Sequence, residues 1–154
     1  MDKKDLRVIN AHKCIDFLCT YESNSYSSVI FYENGELKDT ITNNYNDFEK
    51  AFHDTDVNKD CVILNVAKHI STFDPAQCEV ILWDESVDDD KNKTHQFRKE
   101  YGLYNGISLM FSIGDGLTAL VSACSKPNSD RDGFHSAFIS KRNDMIRLIR
   151  EGLY

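Results

Sequence analysis

An α/β domain, built as a single α-β-α sandwich with a central antiparallel sheet of about five strands and helices on both faces, is what the sequence predicts. Three observations carry that expectation. Two pairs of apolar, strand-like runs are each joined by a tight turn signal, Asn34-Gly35 and Gly114-Asp115-Gly116. Apolar residues recur at three- and four-residue spacing near both ends of the chain, as on the buried face of a helix. The 154 residues hold only two prolines, with no Pro/Gly/Ser-rich linker and no repeat, so one domain is expected.

Taken in order, Asp5 to Thr20 carries Leu6, Ile9, Ile15, Leu18 and Cys19 on one helical stripe and runs into a polar Ser/Asn loop. Ser28 to Tyr32 (SVIFY) and Leu37 to Thr42 flank the Asn34-Gly35 turn and form the first hairpin. Phe48 and Phe52 lie one helical turn apart, and Cys61-Val62-Ile63 with Val66-Ala67 gives a second short helical face that Asp60 can cap. Cys78 to Trp83 (CEVILW) reads as a strand, Asp84 to Asp90 as a solvated acidic loop, and Lys91 to Tyr101 as a helix that stops at Gly102. Asn105 to Ile113 and Leu117 to Cys124 make the second hairpin. Phe134, Phe138, Met145, Leu148 and Ile149 then mark one long amphipathic helix ending near Gly152.

Several function classes are disfavoured. Eighteen basic against twenty-five acidic side chains give a net charge of −7, and no Lys/Arg cluster offers the basic face that releases counterions from nucleic acid. No apolar run approaches the length of a membrane-spanning helix, and no signal-like segment opens the chain, so a cytoplasmic protein without a membrane role is expected. Five scattered cysteines without C-x-x-C spacing suggest buried thiols, with neither a disulfide framework nor a zinc site. The five histidines lack H-x-x-x-H or H-E-x-x-H spacing, the acidic run lacks the ligand pattern of a calcium loop, and Gly114-Asp115-Gly116 lies between strands instead of opening a helix. No metal, cofactor or catalytic machinery is expected, and the Asn92-Lys93-Thr94 acceptor pattern has no consequence without secretion.

What remains is a group of aromatic and polar residues around the sheet: Tyr32, Tyr45, Phe48, Phe52, Asp60, Trp83 and Ser122. Such residues are ordinary core and cap material. They are also how a pocket binds an apolar ligand that carries an amide, since apolar walls supply affinity and a carboxylate and a hydroxyl fix orientation.

The segment Phe97 to Pro127, with Gly102, Leu103, Gly106, Ile107 and Ser108 in a Gly-Leu-x-x-Gly-Ile-Ser pattern followed by two strands and a Gly turn, resembles the autoinducer-binding domain of LuxR-type quorum-sensing regulators. Upstream, Asn44-Tyr45, Phe48, Phe52, Asp60-Cys61-Val62-Ile63 and Trp83-Asp84 follow the order of that family's motifs, and the resemblance covers Tyr26 to Pro127. It implies a cytoplasmic signal receptor for an acyl-homoserine lactone or related amide. Asp60 would accept the ligand N–H, and Ser122 and Tyr45 would donate to its carbonyl. Three departures stand out. Phe48 replaces a Trp that donates to the lactone carbonyl, Cys61 replaces a proline, and Asp74-Pro75 is a rival for the Asp-Pro site.

The family continues into a helix-turn-helix, for which no recognition helix is legible before Tyr154. The expectation is therefore one sensor domain over residues 1–154, acting through an output domain or partner. It would form a homodimer, or a heterodimer with a LuxR-type regulator. The alternative is a ligand-free domain that pairs with a full-length regulator through an exposed apolar stripe on Phe134 to Ile149.

Overall fold

Asp2 starts the first helix by accepting, through its carboxylate, the backbone N–H of Asp5 at 2.8 Å, which satisfies one of the donors every helix N-terminus leaves open. The helix, α1, spans Lys3–Leu18. The computed structural model describes residues 2–43, 78–83, 100–114 and 116–153. Five strands follow α1: β1 (Asn24–Glu33), β2 (Glu36–Thr42), β3 (Cys78–Leu82), β4 (Tyr104–Gly114) and β5 (Leu117–Ser125). They form one antiparallel sheet in the order β2-β1-β5-β4-β3. The five-stranded antiparallel sheet of an α/β domain is as the sequence predicts.

The turn chemistry works as read. Asn34 and Gly35 both take positive φ (51° and 87°), the pair of left-handed residues that a two-residue hairpin turn requires. At the second hairpin Gly114 and Gly116 adopt φ of 85° and 76°. β1 begins earlier than expected, because the polar stretch before Ser28 is already strand. There Ser27 N–H donates to Asn43 Oδ1 (3.2 Å), Asn24 Nδ2 to Ser27 Oγ (2.8 Å) and Ser25 Oγ to the Cys124 carbonyl (3.3 Å). These side chains bond to the ladder and to one another instead of looping out.

The single C-terminal helix is instead two, α2 (Arg131–Ser140) and α3 (Arg142–Arg150). Lys141, at φ −90° and ψ 0°, closes α2 with a tight bond to the Phe138 carbonyl (3.0 Å), and its own carbonyl then starts α3 by accepting from Met145 N–H (3.0 Å). Its ammonium sits 5.3 Å from the Tyr21 ring centre and 5.8 Å from that of Phe17, tying the break to the end of α1.

Alternation along the strands divides the sheet into two faces. The first carries Val29, Phe31, Leu109, Phe111, Val121 and their neighbours, packed against Cys14, Ile15 and Leu18 of α1, Phe134 and Phe138 of α2, and Met145 and Ile149 of α3 in one apolar cluster. The stripe from Phe134 to Ile149 is thus buried on this chain's own sheet and is not the exposed surface that the partner-pairing alternative needs. Asn10, fully buried on α1, donates through Nδ2 to the carbonyls of Ile149 (3.0 Å) and Glu151 (2.8 Å), capping α3 from across the layer. The helices expected around Phe48 and Cys61 and the segment at 91–99 lie outside the described residues.

Candidate functional site on the second sheet face

The other face alternates with the first and is chemically different. Ser28, Ser122 and Ser108 lie side by side in register across β1, β5 and β4, with Thr42 of β2 and Ile81 of β3 at the ends of the row. One step along, Ile30, Leu120 and Met110 form an apolar row, and beyond it come Tyr32, Thr118 and Ser112. All nine of these side chains on the three central strands are buried.

Trp83, immediately after β3, is fixed from two sides. Its backbone N–H donates to the Gly106 carbonyl (2.9 Å), and its indole packs against the same glycine, where any Cβ would collide with the ring. Gly106 thus earns its place in the Gly-Ile-Ser motif by close approach rather than by backbone angle. The indole Nε1 donates to Ser108 Oγ at 2.7 Å, and Ser108 Oγ lies 2.6 Å from Ser122 Oγ.

Valence fixes the first link of this chain. An indole N–H can only donate, so the Ser108 oxygen accepts. Among the described residues the fully buried Ser108 bonds through its side chain to Trp83 and Ser122; either serine can donate between them, and the order that sends the spare proton to the more exposed of the two has Ser108 donating to Ser122. In that order the Ser122 hydroxyl proton has no acceptor among the described residues. It is a donor polarised by the two groups behind it and available to a carbonyl oxygen placed on this face.

The structure therefore brings together Trp83 and Ser122 of the predicted site, and places Tyr32 on the same face two rows away. Tyr45, Phe48, Phe52 and Asp60, with its rival Asp74, lie outside the described residues. Ser108 was legible as part of the motif but not as the link between Trp83 and Ser122, because a strand pairing over 25 residues of separation has no local signature. Thr118 and Ser28 were missed altogether. Their only signal is the two-residue alternation that sets them opposite the apolar core.

Other parts of the molecule offer less. Among the described residues no three His, Cys, Asp or Glu side chains converge as a metal would need, and no helix is long and apolar enough to cross a membrane. Burial pushes the Cys14 thiol up to about 12, so on the first face it is an inert apolar filler. His135 is buried, its Nε2 2.8 Å from the Asn105 carbonyl, at the positive-φ residue (54°) that bends β4. Asn105 Nδ2 donates onward to Ser125 Oγ at 2.8 Å, so the pair braces the sheet.

Solved structures with this architecture decide the fold. The crystal structure of Escherichia coli SdiA superposes at a TM-score of 0.66 with 11% identity, over 97% of this chain and 60% of the SdiA chain. The fold is that of LuxR-type autoinducer-binding domains. CepR2 of Burkholderia cenocepacia, an N-acylhomoserine lactone dependent LuxR-family transcription factor, matches at 0.60 with 10% identity, over 96% of this chain and 94% of its own. SdiA in complex with octanoyl-rac-glycerol matches at 0.59 with 10% identity, over 97% and 59%. The chain thus spans about three fifths of the SdiA chains. At the level of sequence, no protein-family model and no curated protein matches it.

Proposed function

We propose that the chain is a small-molecule sensor domain that binds an amide- or ester-containing apolar signal, of the acyl-homoserine lactone kind, on the second sheet face. The observation that carries this reading is the hydrogen-bonded run from Trp83 through Ser108 to Ser122 on a face of apolar side chains and hydroxyls; with Ser108 donating to Ser122, the Ser122 proton is spare for a ligand. In this reading Ser122 and Tyr45 donate to the ligand carbonyl and Asp60 accepts its N–H. Tyr32, Phe48, Phe52 and Trp83 serve as walls. Filling the site completes the packing of the second face, stabilises the folded form, and controls transcription from the cytoplasm through an output domain or a dimer partner. The LuxR-type fold supports the reading, and CepR2, which depends on an N-acylhomoserine lactone, and SdiA in complex with octanoyl-rac-glycerol point to acylated small molecules as the class.

The test is native mass spectrometry with thermal shift, using N-octanoyl-homoserine lactone and 1-octanoylglycerol. At a hundredfold excess over Kd, binding stabilises by about 2.7 kcal/mol, and the expected rise in Tm is about 5 to 10 °C. Ser122→Ala should weaken binding about five- to tenfold, the worth of one buried hydrogen bond. A protein that stays empty and unshifted with both compounds overturns the proposal; a dimer under those conditions would favour partner pairing.

A further inference from the structure

At the far end of the same face lies a hydroxyl with no partner among the described residues. Thr118 is fully buried, and its Oγ1 has no hydrogen-bond partner. Its neighbours across the sheet are Tyr32 on β1 and Ser112 on β4. Ser112 cannot be the missing partner, because its hydroxyl accepts from Gly114 N–H (3.2 Å) and points its proton to the Leu117 carbonyl (3.5 Å). Valine has the same shape as threonine and would suit a strand interior at least as well, so an orphaned hydroxyl here destabilises the empty protein without improving its packing.

The spacing gives this orphan a meaning. Thr118 and Ser122 are four residues apart on one strand and point to the same face, so their side chains are separated by about 13 Å. Between them stands the apolar row of Ile30, Leu120 and Met110. A polar end, an apolar middle and a polar end are thus arranged in line along β5. Resting on the sensor reading above, we infer that the signal is two-headed. Its amide or ester carbonyl meets Ser122, a chain of about eight carbons crosses the apolar row, and a hydroxyl or oxo group at the far end of that chain pairs with Thr118. A plain alkyl tail would leave the already buried Thr118 Oγ1 without a partner; an oxygen at the tip supplies one.

The inference is tested by measuring Kd calorimetrically for N-octanoyl-homoserine lactone and N-(8-hydroxyoctanoyl)-homoserine lactone on the wild type, Thr118→Val and Thr118→Ser. The hydroxylated ligand should bind about fivefold or more tightly than the alkyl one on the wild type and on Thr118→Ser. Thr118→Val should lose or reverse that preference while melting higher than the wild type without ligand. If Thr118→Val does not fold, the wild type and Thr118→Ser still decide. Equal affinities on the wild type overturn the two-headed ligand and leave the sensor reading standing. A preference that survives in Thr118→Val assigns the tail contact elsewhere and also overturns it. Absence of binding by both compounds removes the sensor reading, and this inference with it.

Discussion

The two faces of one sheet, built from the same strands, do different work. On the first, the side chains at the middle of β1, β4 and β5 are apolar, with the buried Ser27 towards one end, and α1, α2 and α3 pack against them. On the second, hydroxyls at Ser28, Ser108, Ser112, Thr118 and Ser122 interrupt the apolar residues, and among the described residues the buried Thr118 Oγ1 has no hydrogen-bond partner. Burying polar atoms costs free energy unless they are paired, so a face that serves only stability would be as hydrocarbon-like as the first. On the proposed reading, stability resides on one side of the sheet and recognition on the other.

The largest break in that comparison comes from the first face. Phe111 is fully buried, with the Arg150 guanidinium 5.4 Å from its ring centre, and Phe111→Ala should cost about 3 to 5 kcal/mol. Urea denaturation would show the loss. Where the variant remains folded, its Kd for a ligand on the second face should equal that of the wild type. A parallel loss of affinity would mean that the faces are not separable.

This division was only partly legible in the sequence. The hairpins were, because Asn34-Gly35 and the glycines at 114 and 116 are turn chemistry that acts within four residues. The break at Lys141 was not, because the spacing of Phe134, Phe138, Met145 and Ile149 suits one straight helix as well as two, and neither glycine nor proline marks the interruption. Asn10 gave no sign that it caps α3, since its partners lie about 140 residues away. Of the site, Ser122 and Trp83 stood out by resemblance. The hydrogen bonds through Ser108 that connect them depend on sheet register, which is a tertiary property.

A smaller effect tests how dry the first face is. The Cys14 thiol is held at about 12 against an ordinary value of 9.0, with burial the cause. Between those values the folded protein keeps a proton that the unfolded chain has lost. Stability from this group is therefore complete below pH 9 and falls as pH rises towards 12. By pH 11 the loss should reach about 2 to 3 kcal/mol relative to Cys14→Ala, with no difference in pH slope between the two proteins near neutrality. Cys19, which is exposed, should react readily with a thiol reagent in native protein while Cys14 does not. A flat difference across pH 9 to 11 would show that water reaches α1's inner side.

The smallest effect separates the two serines that share a hydrogen bond. In Ser108→Ala the Trp83 Nε1–H loses the acceptor 2.7 Å away, and removing the acceptor of a buried donor costs about 1 to 3 kcal/mol. In Ser122→Ala, Ser108 still accepts from Trp83 and loses only the bond it donates, so the cost should be about 0.5 to 1 kcal/mol. Ligand binding should rank them the other way, because Ser122 holds the free proton and Ser108 acts only through it. Thermal melts and Kd values on the two variants read both orders at once. If Ser122→Ala proves the more destabilising while leaving affinity intact, the proton order along Trp83, Ser108 and Ser122 is reversed, and Ser122 belongs to the architecture of the sheet instead of to its ligand.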